Sequence, residues 1–178
     1  MTEPPHAMRL VPIDQSHGER MLVWMQDPAL RQSLGIHAEP SAERTRAWIE
    51  HAMTSDDTKA FAIFDEERHI GNVVLDRIDR RLGTTRLSIY LGEAGVRGRG
   101  NGRRALRLAL GEAFQRLGLH KVWLIVHAEN VRAIAAYVAA GFSVEGVLRD
   151  EFLLDGRRMS VLYMGILAPE FLTNGDRP

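Results

Sequence analysis

The sequence predicts a mixed α/β chain of the α+β kind, with helices on both faces of a mostly antiparallel sheet. Three observations predict it. Apolar residues alternate with a period of two in runs between residues 60 and 91, and the runs are joined by short connections, as in an antiparallel meander. The period then changes, with Leu106, Leu110, Ala113, Phe114 and Leu117 recurring at helical spacing. Near the C-terminus two long apolar runs flank Asp155-Gly156, a strong short-range signal for a β-hairpin.

Taken in order, residues 8–13 alternate as a first strand. Residues 16–25 and 41–53 carry helical patterns. The second has Ser41 as its N-cap, although Arg44 stands where a capping box has Glu or Gln. Asp27-Pro28 reads as a turn between them. Strands follow at 60–64, at the apolar run 70–78 and at 85–91, the last preceded by Gly83. In 85–91, Leu87, Ile89 and Leu91 share one face, and Arg86, Ser88 and Tyr90 the other. Gly118 closes the helix that contains 106–117. Residues 122–126 are continuously apolar, as in a strand buried on both faces. Asn130 caps a helix over 131–140, which Gly141 ends in a left-handed conformation with Phe142 packing back beneath it. Strands at 144–154 and 157–167 complete the order. Residues 1–6 and 173–178 are polar and proline-bearing, and read as frayed tails. Nothing between them reads as a linker, so the expectation is one domain over 1–178 with an ordered core of about 8–167.

Composition excludes several classes. With 178 residues, 45% hydrophobic and 26% charged, the chain is ordinary for a globular protein. At that length it hides roughly 70% of its unfolded surface without a staple. Cysteine is absent, which removes disulfides, thiolate nucleophiles and Cys-ligated zinc. The formal net charge is zero, so no nucleic-acid or acidic-membrane partner is expected. No apolar run has the length of a membrane span and the N-terminus lacks a signal pattern, so a cytoplasmic location is expected. The seven histidines show no metal-ligand spacing, and no metal is expected; His127 reads as structural or surface. No G-x-S-x-G is present, which leaves serine hydrolysis unsupported.

The chemistry-bearing segment runs from Gly92 to Arg104, between a strand end and an amphipathic helix. Glycines there let the backbone turn and approach a ligand, and the helix start presents N–H groups with partial positive charge. Arg97, Arg99, Arg103, Arg104 and Arg107 fall in a stretch without an acid, which suits a polyphosphate ligand. A Walker A loop is ruled out, since no Gly-Lys-Ser/Thr occurs. Gly100-x-Gly102-x-x-Ala105 also fits the dinucleotide fingerprint, with Glu129 after the next strand, so a nicotinamide-dependent oxidoreductase is a rival. The eight residues separating Leu91 from Gly100, the meander before them and the closing hairpin weigh against it.

Arg97-Gly98-Arg99-Gly100-Asn101-Gly102 resembles the acyl-CoA loop of the GNAT superfamily of N-acetyltransferases, written Arg/Gln-x-x-Gly-x-Gly/Ala. Asn130, followed by Tyr137 and then Gly141-Phe142, resembles that superfamily's next motif, and the order of elements is similar from about residue 8 to 167. The closing hairpin sequence resembles the branch with ribosomal-protein N-terminal, spermidine and amino-sugar acetyltransferases. The resemblance implies a sheet splayed between its fourth and fifth strands, with the pantetheine arm in the gap and acetyl-CoA as donor. It implies an enzyme moving the acetyl group directly to a primary amine of a protein N-terminus, polyamine or amino sugar. A non-catalytic acyl-CoA sensor on the same fold is the alternative. Backbone at Leu91 would bind the arm, and Val96, Arg97, Gly98, Arg99, Gly100, Asn101, Gly102 and Arg103 the pyrophosphate. Asn130 would cap its helix, contact the cofactor, or both. Tyr137 is the candidate general acid and Glu93 a candidate base, with Asp150 and Glu151 as further candidates for base or substrate anchor. Trp24, Met25 and Trp48 lie on helices that line the acceptor side in this superfamily. A homodimer is implied by the same resemblance.

Overall fold

Residues 8–174, apart from 97, 99 and 155, are described by a computed structural model in which seven strands form one sheet. Four strands, β1 (Met8–Pro12), β2 (Lys59–Asp65), β3 (Arg68–Asp79) and β4 (Thr84–Leu91), run antiparallel, each to the next. Strand β5 (Lys121–His127) lies parallel to β4, and β7 (Arg157–Leu167) pairs antiparallel with both β5 and the outer strand β6 (Ser143–Leu154). The sheet order is β1-β2-β3-β4-β5-β7-β6. Three helices, α1 (Gly18–Trp24), α2 (Pro28–Ser33) and α3 (Ala42–Thr54), lie between β1 and β2. Then α4 (Asn101–Gly111) connects β4 to β5, α5 (Val131–Ala139) connects β5 to β6, and α6 (Ala168–Asn174) follows β7.

Periodicity decides which face each helix covers. The stripe Ala105, Leu106, Ala109 and Leu110 of α4 is buried with Leu75, Leu87, Val122, Leu124 and Met164 on one face of the sheet. Met21, Trp24, Leu30 and Ile49 are buried on the other face, with Ile13 and Ala60. Each fully buried aliphatic side chain contributes about 1.5–3 kcal/mol. Ser41 caps α3 by accepting from the Arg44 N–H at 3.2 Å.

Four expectations are corrected. Asp27-Pro28 starts α2 instead of making a turn: the Asp27 carboxylate accepts from the Ala29 N–H at 2.9 Å, and proline at the first helical position loses no bond. Only alternate residues of β5 are fully buried, because the second core draws nothing from β5, β6 or β7 and leaves that side of the strand without a helical cover. The helix over 106–117 is α4 to Gly111 followed by a single π-type turn, Glu112–Arg116, before Gly118 at φ +65°. Thr173 and Asn174, expected in a frayed tail, belong to α6, whose Pro169 lies in the tolerant first turn. The rest of that tail and residues 1–7 lie outside the described residues.

The feature that positions the site is a parted pair of strands. Gly83 O accepts from both the His120 N–H (2.7 Å) and the Lys121 N–H (3.0 Å), pinning β4 and β5 together at one end. Their parallel ladder then covers only Thr84–Arg86 against Lys121–Trp123. Beyond it, β4 stays registered to β3 as far as Leu91, and β5 stays registered to β7 as far as His127. The result is a V-shaped slot.

At the open end of β4, Gly92 donates to Ile70 O at 2.9 Å and lies against Trp24 of α1; a Cβ there would sit 2.0 Å from the indole. Gly92→Ala is therefore expected to destabilise the fold by about 1–3 kcal/mol through overpacking. That should lower Tm by several degrees in a thermal melt, whereas Gly95→Ala, whose Cβ meets nothing within 4 Å, leaves it unchanged.

Candidate active site at the parted strands

Strand geometry fixes what β4 presents to the slot. The Gly92 N–H bonds to β3, so the alternation of an antiparallel ladder turns Tyr90 and Ser88 backbone groups toward β3 as well. The backbone groups of Leu87, Ile89 and Leu91 therefore point the other way: the Leu87 N–H closes the last rung of the ladder to β5, and beyond it Ile89 and Leu91 face the slot. Expected as the arm-binding position, Leu91 is the last residue of that edge, half-buried against the first core.

The loop after β4 leads to an anion cradle. Ala94–Val96 form a short 3₁₀ turn with Val96 buried, and the buried Asn101 donates from Nδ2 to Val96 O at 3.3 Å, tying the loop to the helix it precedes. Gly98 and Gly100 take φ of +82° and +80°, which glycine adopts without a Cβ penalty. Gly100 is the N-cap of α4, no side chain caps that end, and the first turn carries no acid. Early N–H groups of a helix have no acceptor within it, so those at Asn101, Gly102 and Arg103 are directed at whatever lies ahead. A Cβ at Gly100 or Gly102 would meet nothing within 4 Å, so the approach to the helix end is open. Such a cradle fits the pyrophosphate of an acyl-CoA. Arg97 and Arg99 lie outside the described residues, and Arg103 is exposed. Sequence reasoning missed Arg132, whose Nη2 comes within 3.0 Å of where a Gly98 Cβ would be. Its position in the first turn of α5, away from the loop in sequence, gave no signal.

Beyond β5, Asn130 caps α5 by accepting from the Ala133 N–H at 3.1 Å. Two turns further, Tyr137 packs edge-on against Phe142 at 5.8 Å. Its hydroxyl has no hydrogen-bond partner among the described residues, and burial pushes the phenol up to about 12. Glu93 is less open: Arg20 and Arg68 (2.6 Å) both donate to its carboxylate. The hydrogen bond from Arg20 is the main reason its carboxyl is held below the usual range, with the charge of Arg68 adding to it.

On the face toward α1 a buried polar chain ends at the slot. His69 Nε2 lies 2.7 Å from Asn72 Oδ1 and 3.1 Å from Gly71 O, and two acceptors around one nitrogen place the proton on it. The fully buried Asn72 then donates from Nδ2 to Tyr90 Oη at 2.6 Å. Trp24 packs edge-on against both His69 and Tyr90. Met25 is packed at the edge of the same core, whereas Trp48 is about one-third exposed and joins neither core. On the hairpin, Asp150 has φ +55° at an irregular stretch of β6, and Glu151 is exposed. The neighbouring Phe152 reaches back to within 3.2 Å of where a Gly35 Cβ would be. A groove of about 700 Å³ between α4 and α6, lined by Arg104, Arg107 and Phe171, takes none of these slot residues.

A sheet parted between two parallel strands, with an uncapped helix start at its mouth, defines a GNAT-type acyltransferase fold. The structure is similar to spermidine N-acetyltransferase from Vibrio cholerae, solved in complex with CoA and spermine, with TM-score 0.86 and 25% identity over 93% of this chain and 98% of that one. Over 81 residues the sequence is 40% identical to spermidine N(1)-acetyltransferase of Escherichia coli (strain K12), covering 46% of this chain and 44% of the relative, less than half its length. An uncharacterised prophage-derived N-acetyltransferase of Bacillus subtilis (strain 168) is 26% identical over 150 residues, 84% of each chain. The acetyltransferase (GNAT) domain model matches residues 8–143, and the chain belongs to that family. This overturns the dinucleotide reading of Gly100-x-Gly102-x-x-Ala105: β4, α4 and β5 make one βαβ unit whose parallel ladder covers only three residues, and β4's other neighbour is the antiparallel β3 instead of a further parallel strand.

Gly102→Val separates ligand approach from folding. The position is helical and its Cβ meets nothing, so Tm should hold, while the branched side chain shadows the open N–H groups. Acetyl-CoA affinity measured by calorimetry is expected to fall at least tenfold.

Proposed function

We propose that this protein transfers the acetyl group of acetyl-CoA directly to a primary amine in the cytoplasm. The observation that carries the proposal is the juxtaposition of an open β4 edge with the uncapped start of α4. Acetyl-CoA supplies an acyl thioester. The N–H groups from Val96 to Arg103, with the side chains of Arg97, Arg99 and Arg132, hold its pyrophosphate, and Asn130 adds a contact from its amide nitrogen while its oxygen caps α5. Slot-facing backbone at Ile89 and Leu91 binds the arm, and an N–H there polarises the thioester carbonyl as an oxyanion hole does. The chain has no cysteine to carry the acyl group, so the amine attacks the thioester itself.

Tyr137 donates its proton to the sulfur as negative charge develops there. A phenol at about 12 stays protonated across the physiological range, so the donor is always present. Glu93, expected as a base, is a weak one while two arginines hold it. We assign it to anchoring the loop after β4 against α1 and β3. For the acceptor, the spermidine acetyltransferase relatives favour a polyamine over an amino sugar or protein N-terminus. Thiol release from acetyl-CoA with spermidine, glucosamine and a peptide N-terminus in parallel ranks the three, and no release with any amine would leave the sensor alternative standing.

Tyr137→Phe keeps the ring contact with Phe142 and removes a hydroxyl that has no hydrogen-bond partner among the described residues, so Tm is expected to stay within about 2 °C. Acetyl-CoA affinity should also hold while kcat falls by roughly 10²–10⁴-fold, the contribution of a positioned acid. Wild-type turnover would take Tyr137 out of the mechanism.

A further inference from the structure

The β6–β7 hairpin runs past the end of the strand it flanks. Strand β5 stops at His127, level with Val161 of β7, whereas the hairpin continues through Phe152 and Met159 to the paired Leu154 and Arg157. Within this overhang the ladder is irregular. Leu148 pairs with Val161 and Phe152 with Met159, so residues 149–151 of β6 oppose Ser160 alone. A bulge of this kind bends its strand and re-aims a side chain. Here it is held from β7: the Asp150 N–H donates to Ser160 Oγ at 3.2 Å, and Arg158 Nη1 donates to Asp150 O at 3.4 Å. Asp150 itself takes φ +55°, in the left-handed region that few residues other than glycine enter.

Phe152 is the side chain so aimed. Its ring meets the His127 imidazole edge-on, with centroids 5.2 Å apart. The same ring comes within 3.2 Å of where a Gly35 Cβ would stand. These two neighbours belong to opposite halves of the parted sheet. His127 ends β5, and because Val122, Leu124 and Val126 enter the first core, it is turned to the face on which Tyr90 meets α1. Gly35 follows α2, whose Leu30 is buried with Trp24 and Ala60 in the core that also holds Val74 and Tyr90. Phe152 therefore spans the gap on the α1 face from one half to the other. Gly35 has φ +69° and no side chain, so the ring lies against backbone at that end.

We propose that Phe152 sets the width of the acceptor entrance and limits the substrate to primary amines on an unbranched carbon chain, an inference that rests on the acetyl-transfer reading. The anion cradle and Tyr137 belong to the face under α4 and α5, which leaves the α1 face for the acceptor. Continuing the β4–β5 register past the parting sets Tyr90 level with His127, so the entrance lies between the Tyr90 ring and the His127–Phe152 pair. Methylene groups passing between these rings leave water favourably, and the ring faces attract a cation on the chain. An amine carbon in a ring or at a branch carries a second substituent, which the closed contact between Phe152 and Gly35 does not admit. Charge at the entrance does not discriminate. Glu129 is paired with Arg157 and Glu93 with Arg20 and Arg68, and the exposed Asp150 and Glu151 attract every ammonium alike. His127 serves as a wall, since its Nδ1 is buried with no hydrogen-bond partner among the described residues. Selection is by shape.

The probes are 1,4-diaminobutane and trans-1,4-diaminocyclohexane, which carry their amines at the same carbon spacing, one on a chain and the other on a ring. Thiol release from acetyl-CoA is measured with each for wild type, Phe152→Ala and Phe152→Leu, with Tm and acetyl-CoA affinity alongside. Wild type is expected to favour the chain amine at least tenfold in kcat/KM, within the range that a shaped pocket gives. Phe152→Ala should lower that preference at least tenfold through a gain on the ring amine, while acetyl-CoA affinity holds within about threefold. A residue that only stabilised the fold would lower both rates together and leave their ratio unchanged. Should the alanine variant show no thermal transition, Phe152→Leu, which keeps an apolar cover and shortens the reach to Gly35, carries the same comparison. A preference that shifts by less than about tenfold would overturn the proposal, as would a wild type that favours the ring amine or glucosamine; acetyl transfer stands in either case. A wild type that releases thiol with no amine at all would overturn that reading itself, and the entrance with it.

Discussion

The three-residue parallel ladder between β4 and β5 is the constraint on which the site depends. Each of these strands is held along its length by its outer neighbour, β4 by β3 and β5 by β7, and they are held to one another only at Thr84–Arg86 and Lys121–Trp123. Twist between adjacent strands accumulates, so two strands with firmer partners elsewhere part once their shared ladder stops. The last paired residue is itself fixed: Arg86 makes a bidentate contact with Asp76 on β3, with Nε at 2.8 Å and Nη2 at 2.5 Å. That pair aligns Arg86 with β3 at the point where the slot begins. Ordinarily an unpaired strand edge invites aggregation. Here it lies inside the sheet, where only a slender ligand can reach it.

The two faces of the parted sheet then carry different chemistry. On the face under α4 and α5 stand the anion cradle and Tyr137. On the face under α1 to α3 stand Trp24, the His69–Asn72–Tyr90 chain and, across the gap, His127. Glycine makes the geometry possible at two places that matter most. Gly100 carries a left-handed φ that ends the loop on the helix axis, and Gly92 lets β4 end flush against the Trp24 ring.

Much of this is legible in the sequence for physical reasons. Period-two alternation set β2 and β4, the apolar run 70–78 marked β3, the Asp155-Gly156 pair set the hairpin, and the glycine and arginine pattern at 97–104 marked the cradle. What stayed hidden depends on tertiary placement. Helix α2 escaped because Asp-Pro serves equally as a turn and as a capped helix start. Helix α6 escaped because Pro169 resembles a breaker until its place in the first turn is known. Residues 122–126 read as a strand covered twice, since an apolar run cannot show that one face is left without a helix. Glu93 looked like a base from its position, and only the approach of Arg20 and Arg68 from two other elements reveals how firmly it is held. His127 read as structural or surface, and its buried Nδ1 without a partner among the described residues exists only once β5 is folded into the sheet.

Amide hydrogen exchange with and without acetyl-CoA, read residue by residue, tests most directly whether the parted strands hold the donor. Acetyl-CoA is expected to slow exchange at Ile89 on the slot edge and at Gly100 to Arg103 at the start of α4, while Leu87 and Tyr90, already bonded to β5 and β3, change little. Acetyl-CoA bound by calorimetry without protection at Ile89, or with protection confined to the groove between α4 and α6, would contradict the account.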